Sequence, residues 1–168
     1  MKKINDRQSL GIISGLIGGL VLILFDRISL KLGISKRSYT QAASGVWVSS
    51  KKQARSRGGN ILGIMMSLGL SSLGGVIMTE LFSRKGTDNL IGKGIFYGVT
   101  YGAIATALLS GFPNNKVKPP DATSNLSYVA SHALYGLTTS LLISKLGNKI
   151  QKKAITNNPA AYLSNPNQ

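Results

Sequence analysis

Three side chains in this sequence could carry proton chemistry in an apolar setting: Asp26, Glu80 and His132, each within or at the edge of a long uncharged run. Ionisable groups at membrane depth are costly and often functional, so each must be weighed against a plain structural role. Asp26 ends one run beside Arg27, and Glu80 ends another with Arg84 one helical turn on. Both are expected near headgroups as solvated or paired charges. His132 lies deeper. In "YVASHALYG" it shares a helical face with Tyr128 and Tyr135, and Tyr101, with Tyr97, belongs to a run that could line the same region. A neutral imidazole there would hydrogen-bond a tyrosine or a neighbouring helix; a proton-carrying role is the alternative.

Nothing else assembles a reaction centre. The chain has one histidine and no cysteine, and it lacks an HExxH helix, paired helical glutamates and a nucleophilic serine elbow. No catalytic residue, metal ligand set or cofactor is therefore expected, and the chain reads as a non-enzyme.

The charge balance points the same way once its distribution is considered. Twenty Lys and Arg against five Asp and Glu would suit nucleic acid if spread over a soluble surface. Here they fall in short clusters between apolar runs, so no nucleic acid is expected. Residues 9–25, 58–79, 94–112 and 124–144 are uncharged at Asp, Glu, Lys and Arg and are long enough, or nearly so, to cross a hydrocarbon layer, which takes about 20 helical residues. The expected fold is all-α: one domain over 1–153, with four transmembrane helices in a tight antiparallel bundle, and a flexible tail over 154–168.

Each run carries small residues four apart. Gly11, Gly15 and Gly19 mark the first; Ser67, Ser71 and Gly75 the second; Gly94, Gly98 and Gly102 the third; Gly136, Ser140 and Ser144 the fourth. Lipid tails are as apolar as leucine, so helices in a bilayer associate by close contact, which such strips permit. They are expected to be the helix-packing surfaces.

Between the first two runs, residues 38–50 place Tyr39, Ala42, Ala43, Val46 and Trp47 on one helical face. Lysines flank the segment. An interfacial amphipathic helix is expected, with Trp47, Tyr39, Lys51, Lys52, Arg55 and Arg57 contacting a membrane surface rich in anionic headgroups. With four crossings the positive charges tie at ten on each side; the easily translocated proline-rich turn at 113–125 favours both termini in the cytoplasm.

The glycine-rich first run, the long amphipathic first loop, "KGIFYGVTYG" opening the third run, "GFPN" closing it and "HALYGLTTSLL" in the fourth together resemble small four-helix integral membrane proteins of Gram-positive bacteria, of the YqhR type. The likeness covers about residues 10–145. It implies a cytoplasmic-membrane location and an envelope or stress role, and transfers no catalytic or binding residue. The expected function is structural or accessory, with a second copy or a membrane complex as partner. A small transporter or channel subunit, proton-linked through His132, is the competing reading, and a pore former is a distant third.

Overall fold

The computed structural model describes residues 4–118 and 121–147. The expected tail over 154–168 lies outside the described residues. Six helices run in order: α1 (Arg7–Lys31), α2 (Tyr39–Ser44), α3 (Lys51–Arg55), α4 (Arg57–Lys85), α5 (Leu90–Gly111) and α6 (Ala122–Leu146). Among the described residues β-pairing is limited to one isolated bridge between Ile4 and Gly147.

The helix starts are set by short polar side chains, as free N–H groups in the first turn require. Asp6 accepts from the Ser9 amide, Ser56 from Gly59 and Asp121 from Ser124. The bonds from the Ser124 amide and hydroxyl hold the Asp121 carboxyl below its ordinary range. The α4–α5 turn is tight because Gly86 and Asn89 adopt φ of 74° and 47°, the left-handed region that glycine and asparagine tolerate.

α1, α4 and α5 are long and apolar enough to cross a membrane. α6, which contains the expected fourth span, has the length but falls outside that group. Its composition explains this: Ser124, Ser127, Ser131, Thr139 and Ser140 are all buried, facing protein rather than the surroundings. α1 lies between α4 and α6, and α5 packs on α6.

Two of these contacts bring backbones together. A Cβ on Gly75 would stand 2.7 Å from the Gly15 Cα and overlap the Gly11 carbonyl; one on Gly19 would stand 2.7 Å from the Ser71 Cβ. Between α5 and α6, a Cβ on Gly136 would stand 2.7 Å from the Gly98 Cα, and one on Gly94 would stand 2.8 Å from the Ser140 Cβ. A Cβ on Gly98 would overlap the His132 carbonyl, and one on Gly102 the His132 ring.

Of the interfacial helix expected over 38–50, only α2 at Tyr39–Ser44 is helical; a turn follows it, and the next helix, α3, begins beyond the segment at Lys51. α2 does not lie on a surface. Tyr39, Thr40, Ala42, Ala43 and Ser44 are all buried, and α2 sits so close to α4 that a Cβ on Gly63 would overlap the Thr40 carbonyl. Amphipathic spacing marks which face is apolar but not whether lipid or protein receives it.

A methyl group at a seam where backbone fills its place should cost about 1–3 kcal/mol. Gly15→Ala and Gly98→Ala are expected to lower the thermal midpoint in detergent by several degrees. Gly69→Ala, where a Cβ meets nothing within 4 Å, should hold or slightly raise it, since alanine suits a helix interior better than glycine. Equal midpoints for all three would show that the strips bear no packing load.

Candidate functional site

Of the side chains expected around His132, Tyr128 lies beside it where α2 is seated, while Tyr101 and Tyr135 pack as a neighbouring group. His132 and Tyr128 are buried on α6, and His132 Nδ1 lies 2.7 Å from the Tyr128 carbonyl oxygen. That carbonyl only accepts, so Nδ1 carries the proton in this geometry. Tyr39 packs edge-on against both, with ring centroids 4.8 Å from His132 and 5.5 Å from Tyr128. Tyr39 is thus a correction to the sequence reading: expected at the membrane surface, it is only 3 % exposed and lies inside the protein. Burial pushes its phenol above its ordinary value, so it stays protonated.

Tyr101 and Tyr135 form a second group with Tyr97. Tyr97 and Tyr101 stack at 5.8 Å, and Tyr101 and Tyr135 at 6.0 Å. Each hydroxyl donates to a carbonyl of α4: Tyr97 to Gly74 at 2.8 Å, Tyr101 to Leu70 at 2.7 Å and Tyr135 to Ser71 at 2.7 Å. A Cβ on Gly74 would stand 2.6 Å from the Tyr135 oxygen, so that glycine leaves room for the clasp. α4 and α5 barely touch through their backbones. The tyrosines span the gap, each hydroxyl donating its proton to a backbone carbonyl of α4.

Asp26 departs furthest from expectation. Instead of meeting solvent or an ion-pair partner near headgroups, it is fully buried, and both carboxyl oxygens accept the Tyr39 backbone N–H at 2.9 Å. With Ser38 accepting from the Thr40 amide, it satisfies the first N–H groups of α2. Asn115 secures the other side of α2: its amide donates to the Ala42 and Leu109 carbonyls at 3.1 and 2.8 Å, and its oxygen accepts from Val117. The spacing of Asp26 and Asn115 offered no such role. The only signal was a carboxylate closing an apolar run just ahead of a Ser-Tyr-Thr helix start.

The remaining expected residues lie on the surface. Trp47 is 67 % exposed, and Lys51, Lys52, Arg55 and Arg57 are exposed on α3 and the first residue of α4. Lys51, Lys52 and Arg55 border one shallow depression with Ser56. Glu80 pairs with Arg84 at 2.7 Å and with Arg7 at 3.5 Å, joining α1 to the end of α4.

The arrangement is a polar lock that seats α2. Asp26→Ala would leave the Tyr39 amide buried without its acceptor, a loss of about 1–3 kcal/mol. Amide hydrogen exchange at residues 39–44 is expected to accelerate at least about fivefold, with the middle of α5 unchanged; unaltered exchange at 39–44 would contradict the lock. Among known proteins, no family model, no curated sequence and no solved structure matches the chain.

Proposed function

We propose that the chain is a non-enzymatic, multi-pass protein of the bacterial cytoplasmic membrane, with a structural or accessory role in the envelope. All four long helices cross the bilayer in this reading, and both termini face the cytoplasm. Exposed apolar area on the long helices carries it. Leu24 on α1 is 60 % exposed, Phe96 on α5 74 % and Leu126 on α6 70 %. Scattered apolar residues on a soluble protein need no explanation, but rows of them around apolar helices mark a membrane or partner surface.

α6 is included despite its lower hydropathy because its hydroxyls face α1 and α5 while Leu126 and Leu141 face outward. A helix enclosed by others crosses lipid without being apolar all round. The cations of α3, with Trp47 beside them, supply contact with anionic headgroups. The likeness to YqhR-type proteins agrees with this placement and adds the envelope role.

A transporter reading needs a wetted path. Tyr97, Tyr101, Tyr128 and Tyr135 each direct a hydroxyl to a backbone carbonyl, which favours packing over conduction.

The full chain should remain in the membrane pellet after alkaline carbonate washing and require detergent for release. Purified protein in vesicles should raise proton or small-solute flux no more than empty vesicles do. A folded, monodisperse chain in the detergent-free supernatant would overturn the membrane placement, and robust flux would overturn the accessory role.

A further inference from the structure

We propose that the groove bounded by the end of α1, the start of α2 and the start of α4 binds one anionic phospholipid, with Arg27 and Arg57 holding its phosphate. The inference rests on the membrane reading above and identifies the ligand of that basic end.

The groove has about 660 Å³ of room. Arg27 enters it from α1 and Arg57 from α4, and Gln41 and Asn60 add amide groups. Two guanidiniums bordering one cavity repel each other unless an anion lies between them. The chain has no side chain to serve. Of its five carboxylates, Asp6 and Asp121 cap helices, Asp26 is buried against Tyr39, and Glu80 and Asp88 are paired with Arg7, Arg84 and Lys93. Among the described residues neither Arg27 nor Arg57 has a carboxylate within ion-pairing distance. Both guanidiniums are exposed at the groove, where an anion from the surroundings can reach them.

The rest of the lining indicates its chemistry. Leu30, Ile61 and Ile64 form an apolar wall to the same groove. Along α4 that wall continues to the exposed Met65, and on α1 the exposed Leu24 stands one turn from Arg27. A charged mouth continuous with an apolar face suits a phosphate on acyl chains better than a free anion. Arginine offers a rigid fork that binds phosphate through two parallel N–H groups, and basic pockets between transmembrane helices take anionic headgroups in this way. Since the two arginines come from different helices, an occupied site would also tie α1 to α4 beside α2.

The test uses full-length protein in dodecyl maltoside, with bound lipid counted by native mass spectrometry and the thermal midpoint recorded. Four probes are added separately: phosphatidylglycerol, phosphatidylcholine, glycerol 3-phosphate and inorganic phosphate. One phosphatidylglycerol per chain is expected to be retained with a raised midpoint, and the other three probes should bind at least tenfold more weakly. The double change Arg27→Gln with Arg57→Gln should weaken retention at least tenfold, and Arg27→Lys with Arg57→Lys should weaken it less. Lys51→Gln with Lys52→Gln should leave it intact, and circular dichroism should show all variants folded. Equal retention by the arginine-to-glutamine variant would overturn the site, as would binding of inorganic phosphate as tight as that of the lipid. Failure here would leave detergent-dependent extraction untouched, whereas failure of the membrane reading would appear in extraction alone.

Discussion

Backbone meets backbone along two lines in this protein, at Gly11, Gly15 and Gly75 between α1 and α4 and at Gly94, Gly98 and Gly136 between α5 and α6, and the remaining contacts depend on those distances. In each seam a carbonyl or Cα of one helix occupies the space a side chain would need on the other. Attraction at such range comes from many weak terms. Each atom pair adds about 0.1–0.2 kcal/mol, and each Cα–H to carbonyl contact about 0.5–1 kcal/mol. These terms fall steeply, and a gap of about 0.5–1 Å forfeits a quarter to a half of a contact. Where lipid competes for every apolar face, nothing else replaces that loss.

The seams leave α4 and α5 barely touching through their backbones. Tyr97, Tyr101 and Tyr135 fill that space, each anchored to a carbonyl of α4 between Leu70 and Gly74. One end of the molecule, beside the C-terminus of α1 and the start of α4, is closed by α2, whose first amide is received by Asp26 and whose far side is fixed by Asn115. Glycine strips set how near the helices stand, tyrosines bridge where they stand apart, and a buried carboxyl seats the short helix across them.

Much of this was legible in the chain. Spacing by four marked Gly11, Gly15, Gly94 and Gly98, and the backbones meet at those residues because a helical period of 3.6 places them on one stripe. The grouping of Tyr128, His132 and Tyr135 on one face was readable for the same reason. Other features depend on what lies opposite, which no local pattern encodes. The apolar face of α2 looked like a face for lipid and meets Tyr128 and His132 instead. Asp26 looked like an edge charge because its acceptor role needs Tyr39, thirteen residues away. The low hydropathy of α6 follows from hydroxyls turned towards its neighbours.

The native chain contains no cysteine, so a pair of introduced thiols reports proximity without background. The most direct measurement of the seams is oxidative cross-linking of Gly19→Cys with Ser71→Cys, and of Gly94→Cys with Ser140→Cys, in native membranes. A disulfide needs Cβ atoms about 3.5–4.5 Å apart, so both pairs lie within an ångström or so of that geometry. Rapid, near-complete intramolecular disulfide formation in both pairs is the predicted result. Thiols that stay reduced under mild oxidant, or that link only between chains, would show that these helices do not meet along their glycines.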